Sequence, residues 1–330
     1  MIKNRNIPLI QAAVIEPFIL AAREIGTPIE RVLMTAGLSS EILDTPNLIV
    51  PEIPAWKLVQ TIAQMEGTPL LGLYAAFSLA HQDIKSVEPL IKGCINLKAL
   101  LERFCFIAPT QTNTDEYALM ECGELVWFIQ KGPRLTSNYV QVELFEIAGM
   151  IQLVQLAAGA HWRPSEIHFS FKYCHHVDNA EEFNPGKILF SQQYPAIAIP
   201  RNLLPLKIPE LGTPHHSKLS TPPDTIKDQL LCAISPYLEE KLNPARLSQI
   251  TGMSFRTLQR ILEQQDTSIS GVIDQARFEK AQFLLKNTSE KLLGISLLLG
   301  YQNASTFSRA FKRWSGLSPR EFRNNYILEN

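Results

Sequence analysis

A chain of 330 residues, 45% hydrophobic and 19% charged, exceeds what one core comfortably holds and is too apolar to stay disordered, so two folded domains are expected. A formal charge of −1 excludes a protein that holds nucleic acid by bulk charge, yet the sign is segregated: residues 224–330 carry 14 Lys and Arg against 11 Asp and Glu, net +3, and residues 1–223 carry 17 against 21, net −4. Five scattered cysteines (Cys94, Cys105, Cys122, Cys174 and Cys232), odd in number and without a C-x-x-C pair, exclude a disulfide framework and point to reduced thiols in a cytosol.

The start, MIKNRNIPLIQAAVIEPFIL, has basic residues ahead of an apolar run, as a signal peptide does, but Glu16 and Pro17 interrupt the run and no small-residue cleavage site follows. No uninterrupted apolar run approaches the ~20 residues that span a bilayer, so a cytoplasmic protein without membrane contact is expected. Residues 1–50 read as two or three short helices punctuated by Gly26-Thr27-Pro28 and Gly37-Leu38-Ser39. Further helix follows from Pro51, with Trp56, Val59, Ile62 and Ala63 on one stripe, and Thr68-Pro69 opens a new segment through Leu79. Ile91 to Ile107 is another amphipathic stretch.

Strand patterns come next. Tyr117 to Met120 and Leu125 to Ile129 flank Cys122-Gly123 as a hairpin-like pair. Tyr139 to Gly159 is a long apolar helix with Leu144, Ile147, Ile151 and Val154 at helical spacing, which suits burial in its own domain and leaves room for a dimer contact. Glu166 to Phe171 alternates like a half-buried strand, and Lys187 to Phe190 and Ala196 to Ile199 give two more. Interleaved helices and strands make a mixed α/β domain, whose aromatics Trp127, Phe128, Phe169 and Phe171 read mostly as core. Cys174-His175-His176 with Asp178 has metal-ligand chemistry, but adjacent residues point apart and no second ligand pair stands out, so a loop after a strand is the reading and no metal site is assigned. No nucleophile elbow, phosphate loop or zinc-protease spacing is present, and no catalytic residue or cofactor is assigned. Residues 207–223, with Pro209, Pro214, Pro222, Pro223 and Gly212, make the best linker, dividing 1–206 from 224–330.

After the linker the pattern becomes all helical. Asn243-Pro244 supplies a cap and a first-turn proline for a short helix, Leu247 to Thr251, that ends at Gly252-Met253. Ser254 caps the next helix, in which Phe255, Leu258, Ile261 and Leu262 face inward and Arg256, Gln259, Arg260 and Glu263 share the outer face. Helix, glycine turn, and helix with outward Arg and Gln is a helix-turn-helix, whose second helix reads base edges. The plan recurs as Lys291 to Leu299, Gly300-Tyr301 and a helix from Ser305, where Phe307, Ala310, Phe311 and Trp314 form the apolar stripe and Thr306, Arg309, Lys312 and Arg313 lie opposite. Ser315-Gly316 closes that helix and Ser318-Pro319 opens another. Arg256 and Ser305 are equivalent and 49 residues apart, with Ser270 to Lys286 as a connecting helix between them. Two readers on a rigid spacer suit successive major grooves roughly 34 Å apart.

The strings GMSFRTLQRIL, ARFEKAQFLL and GYQNASTFSRAFKRWSGLSPREFR (within residues 252–323) resemble the DNA-binding domain of AraC/XylS-family bacterial transcription regulators. More loosely, TPLLGLYAA, EIHFSFKY and RNLLPLKIP resemble the arabinose-binding-like sensor domain of the branch typified by ornithine-utilisation regulators. The resemblance implies a mixed α/β sensor domain and an all-α domain with two helix-turn-helix motifs joined by a long helix. It also implies binding to double-stranded promoter DNA, a small-molecule effector of unknown identity, and a lean towards activation, for which RNA polymerase is the protein partner. DNA contacts are assigned to Arg256, Gln259, Arg260, Ser305, Thr306, Arg309, Lys312 and Arg313. Two departures bear on them. Phe255 replaces a small residue or proline, and Gln302-Asn303-Ala304 replaces a more usual serine, aspartate and glutamine. Ala304 cannot hydrogen-bond a base, so the second unit is expected to read mainly through Arg309 with Ser305 and Thr306, leaving Arg256, Gln259 and Arg260 as the stronger set. An effector-independent DNA-binding protein and an enzyme fused to a DNA-binding module are the competing classes. The second needs an activated cysteine, and Cys232, in an apolar helical stretch, reads as structural.

Overall fold

The computed structural model describes residues 6–80, 91, 93–132, 140–184, 186–208 and 221–329, so most of the expected linker lies outside the described residues, as do Tyr139, the expected start of the long helix, and Met1 to Arg5. The chain separates into two units, Pro8–Pro222, and Pro223–Asn330 together with Met1–Ile7. In the first, β1 (Leu9–Gln11) pairs antiparallel with β2 (Ile49–Pro51) beside α1 (Ala12–Glu24), α2 (Ile29–Ala36), α3 (Glu52–Met65), α4 (Leu71–Ala80) and α5 (Leu97–Ile107). A five-stranded sheet follows, built from β3 (Tyr117–Cys122), β4 (Leu125–Gln130), β5 (Glu166–His168), β6 (Lys187–Leu189) and β7 (Ala196–Pro200) in the order β3-β4-β7-β5-β6. Only β5 and β6 run parallel; the other neighbours are antiparallel.

Helix α6 (Val140–Ala158) forms the middle of this unit. Its Leu144, Ile147, Ile151 and Val154 join Val126, Phe128, Ile167, Ile197 and Ile199 from one face of the sheet in a single buried cluster. Among the described residues it is the one helix long and apolar enough to cross a bilayer, and here it is a core helix. Its approach to α4 is so close that a Cβ on Gly72 would meet the Gln141 carbonyl oxygen at 1.8 Å, and the Gln141 side chain spans the gap, accepting the Gly72 N–H at 2.9 Å and donating to the Pro69 carbonyl at 3.0 Å.

Several expectations need correction. Strands β1 and β2, read from sequence as helical territory, are three residues each and wholly buried, so no alternation marks them. The amphipathic stretch from Ile91 is broken over residues 93–96, which are not helical, and α5 begins at Leu97, where Asn96 caps it by accepting the Ala99 N–H at 3.0 Å. The strand expected over Glu166 to Phe171 ends at His168, because Ser170 turns aside to give its N–H, at 2.9 Å, and its hydroxyl to the buried carboxylate of Glu143 on α6. The residues after Cys174, read as a loop, form a helical turn, α7 (His175–Asp178). Trp127 is not core: it is half-buried on the opposite sheet face from Phe128, with its ring 4.4 Å from that of His168.

A buried carboxylate joins the helical and sheet parts of this unit. Glu52, in the first turn of α3 and 4% exposed, accepts the Trp56 indole N–H at 2.9 Å and the hydroxyl of buried Thr114. The segment containing Thr114 is stitched to β1 by Leu9 N–H to Asn113 Oδ1 at 2.8 Å and Asn113 N–H to the Leu9 carbonyl at 3.2 Å. Burial first, and the nearby Asp115 second, push the Glu52 carboxyl up to about 8, and burial also raises Asp115. A carboxyl whose proton is held more tightly in the folded state contributes stability below its unfolded value that is lost as pH rises through the folded one. Stability should therefore fall between the unfolded glutamate value near 4.5 and pH 8, and Glu52→Gln should flatten that part of the curve. Melting temperature against pH for both chains checks this; parallel curves would show that Glu52 is ionised throughout.

Candidate nucleic-acid interface

The second unit holds seven helices among the described residues: α8 (Ile226–Ile234), α9 (Pro244–Thr251), α10 (Phe255–Glu263), α11 (Ile269–Asn287), α12 (Leu292–Leu298), α13 (Ala304–Ser315) and α14 (Pro319–Glu329). Asn243 caps α9 by accepting the Arg246 N–H at 2.9 Å, and Gly252, at φ 67°, ends it in the left-handed conformation. Ser254 then caps α10, accepting the Thr257 N–H at 3.1 Å. Leu258, Ile261 and Leu262 are buried, whereas Arg256, Gln259, Arg260 and Glu263 are exposed. The turn is braced from within: the Thr251 hydroxyl donates to the Leu247 carbonyl at 2.8 Å and accepts the Met253 N–H at 3.2 Å.

The second helix pair repeats this construction. Asn303 caps α13 by accepting the Thr306 N–H at 2.9 Å, so the residue that departs from the family pattern serves as the cap. Phe307, Ala310 and Phe311 are buried; Ser305, Thr306, Arg309, Lys312 and Arg313 are exposed. The caps Ser254 and Asn303 lie 49 residues apart, as do Arg256 and Ser305, and as do Arg260 and Arg309, so the two exposed faces are in one register. The turns differ. Ser254 is two residues beyond Gly252, but Asn303 is three beyond Gly300, which has φ 76°.

All eight residues expected to meet DNA thus lie on the exposed faces of α10 and α13, four of them already engaged or partly engaged. Gln259 donates to Glu263 at 3.0 Å, the Thr306 hydroxyl donates to the cap Asn303 at 3.0 Å, and Arg313 pairs with Asp274 of α11 at 3.0 Å. Lys312 is close enough to the Glu321 carboxylate for its charge to help the hydrogen bonds from Ser318 hold that carboxyl below the usual range. Among the described residues no ion pair holds Arg256, Arg260 or Arg309.

The supports beneath these faces are less visible in sequence. Phe278 of α11 packs against Phe311 and Trp314 with ring centroids 5.5 and 5.9 Å apart, and Asp274 and Arg277 share its side of α11. Their spacing of three and four residues is a signal that the sequence carries, on a helix otherwise read as a plain spacer. At α14, Ser318 and Glu321 cap one another reciprocally, and these hydrogen bonds hold the Glu321 carboxyl below the usual range. Arg323 donates to the carbonyls of Leu285 at 3.3 Å and Glu290 at 2.7 Å, so it clamps α14 to the end of α11.

Residues 26–208 match the family model of the arabinose-binding domain of AraC transcription regulators, N-terminal, and residues 247–325 match a helix-turn-helix domain. The HTH-type transcriptional regulator VqsM of Pseudomonas aeruginosa is 40% identical over 74 residues, 22% of this chain and 23% of that protein. The ornithine utilization regulator of the same organism is 39% identical over 70 residues, 21% of each chain, and the HTH-type transcriptional activator CsvR of Escherichia coli is 30% identical over 99 residues, 30% of this chain and 37% of its own. The matches span 20% to 37% of the length of these and two further curated relatives. Among solved structures, the transcriptional regulator CdpR of Pseudomonas aeruginosa aligns with 90% of this chain and 96% of its own at 15% identity and a TM-score of 0.37. The DNA-binding domain of AdpA in complex with a target DNA aligns over 32% and 97% at 20% identity and a TM-score of 0.29. With more than half of its residues under the sensor-domain model and a helix-turn-helix model over most of the rest, the chain belongs to the AraC family of transcription regulators.

Proposed function

We propose that the chain binds promoter DNA sequence-specifically through two helix-turn-helix motifs, with α10 and α13 in successive major grooves, and that a small molecule bound by the Pro8–Pro222 unit changes its affinity for that DNA. The supporting observation is the repeated register of caps, which leaves Arg256 and Arg260 on one helix and Arg309 on the other exposed on faces opposite the buried stripes. A guanidinium on a short helix can donate two hydrogen bonds to O6 and N7 of guanine. Arg256 and Arg260 are the principal readers, with Gln259 joining them once it leaves Glu263, and Arg309 reads at the second site with Ser305 and Thr306. Lys312, beyond the base-reading turn, and Arg313, when released from Asp274, contact phosphates. The net charge of +3 over residues 224–330 makes non-specific attraction modest, so arginine placement outweighs bulk charge.

The sensing half of the proposal rests on the match to the sensor-domain family, whose name does not make arabinose the ligand. A ligand that favours one conformer shifts DNA affinity by its differential affinity for the two. Activation through RNA polymerase in the cytoplasm is the direction that the family lean and the naming of CsvR as an activator support. A homodimer fits the same scheme.

Selection of duplexes from a random-sequence library by the full-length chain, followed by binding measurements, tests the first half. Arg256→Ala or Arg260→Ala should each cost about 1–3 kcal/mol on the selected duplex and relax base preference at one position, whereas Lys312→Ala should lower the salt slope by about 1 with preference unchanged. Equal losses on every sequence would reduce both arginines to phosphate contacts. The second half is read by heat. A metabolite panel should contain a compound that raises the melting temperature of the Pro8–Pro222 unit within the full chain and alters DNA affinity at the same concentrations. Stabilisation without any change in DNA binding would favour an effector-independent binder.

A further inference from the structure

The two turns ahead of the reading helices are supported differently. The first is held by its own Thr251. The second, longer by one residue, is closed by its own backbone, Gly300 N–H to the Leu297 carbonyl at 2.9 Å and Tyr301 N–H to the Ser296 carbonyl at 2.8 Å, and is gripped in addition by Arg277 of α11, which donates from Nε to the Leu299 carbonyl at 3.0 Å and lies over the Tyr301 ring, 5.1 Å from its centroid. From the other side the turn abuts the first half of the unit: a Cβ on Gly300 would meet the Leu238 carbonyl oxygen at 2.4 Å and the Glu239 carbonyl oxygen at 3.5 Å, with Arg277 Nη2 at 3.3 Å. Residues 299–301 are therefore caught between backbone that follows α8 and a half-buried guanidinium from the connecting helix. Asn303, the cap of α13, comes two residues after Tyr301, so movement of the turn passes directly to the end of α13 that carries Ser305 and Arg309. Phe278 and Asp274 hold α13 farther along, through Phe311, Trp314 and Arg313, and these contacts do not grip the turn.

We infer that Arg277 is a positioning residue that sets the placement of α13 relative to α10, and with it the separation of half-sites that the protein accepts on DNA. This rests on the DNA-reading function proposed above. One inserted base pair moves a half-site by about 3.4 Å and turns it by about a tenth of a helical repeat, so only a fixed pair of readers discriminates between spacings. A loosely held α13 would follow the displaced site.

The test uses the full-length chain and a duplex that the wild type selects from a random-sequence library. Variants of that duplex carry one base pair fewer, one more or two more between the contacted half-sites, and a further duplex has the second half-site scrambled. Wild type should lose about tenfold or more at every altered spacing, the scale of losing one half-site contact. Arg277→Met, which keeps the aliphatic stem, should bind the selected spacing about tenfold more weakly, bind the scrambled duplex as wild type does, and distinguish the spacings by no more than about threefold. Arg277→Lys, which retains a charge and a donor, should recover part of the discrimination. A folded Arg277→Met chain with the wild-type spacing profile, or one weakened equally on every duplex, overturns the inference. If that variant does not fold, Tyr301→Leu and Arg277→Lys are read by the same criteria. Selection of no sequence at all by wild type would reject DNA reading itself, a result distinct from an unchanged spacing profile on a selected duplex.

Discussion

The packing of α10 and α13 by one face only decides what the second unit presents to solvent. Phe307 and Phe311 are fully buried, and burial of one such side chain is worth about 1.5–3 kcal/mol. The Arg313–Asp274 ion pair at the edge of the same contact is 67% and 39% exposed, and such a pair contributes about 0–1 kcal/mol. The apolar stripe therefore fixes the rotation of α13 about its axis and the ion pair only trims it. Once that rotation is fixed, Ser305 and Arg309 have no choice but to face outward. The same holds for α10, where Leu258 and Leu262 are the buried stripe and Arg256 and Arg260 the consequence.

In the Pro8–Pro222 unit the specific joints are polar. Gln141 seals the contact of α4 with α6, Glu143 draws Ser170 out of the sheet, and Glu52 ties α3 to the segment leading into β3. Each places a polar group where solvent cannot reach it, and each meets that cost with partners that only the correct arrangement supplies. Such contacts add less net stability than the surrounding leucines and isoleucines, but they penalise a shifted register far more, because a slip leaves a donor or a carboxyl without a partner. The apolar cluster alone would tolerate sliding of α6 along the sheet. Gln141 and Glu143, carried by α6 itself, do not.

Much of the C-terminal unit was legible because its signals are local. Caps at Asn243 and Ser254, the glycine at 252, and apolar residues three and four apart each act within one or two helical turns. The Pro8–Pro222 unit was less legible for the opposite reason. Strands of three residues such as β1 and β2 are too short to show a period, and the end of β5 is set by Glu143, 27 positions from Ser170. Trp127 looked like core because an aromatic in an apolar run usually is, but its parity with Phe128 puts it on the other sheet face.

By itself, the sequence determined which segments of the last hundred residues are helices, which faces of α10 and α13 are apolar, and so which arginines are left outside. Those properties follow from neighbours along the chain. Tertiary structure alone decided that the connecting helix is a scaffold, with Asp274, Arg277 and Phe278 supporting the second turn and its helix, and that Glu52 is enclosed beside Thr114. These depend on side chains brought together from distant positions, and no pattern of spacing encodes which distant partner a buried or half-buried group will meet.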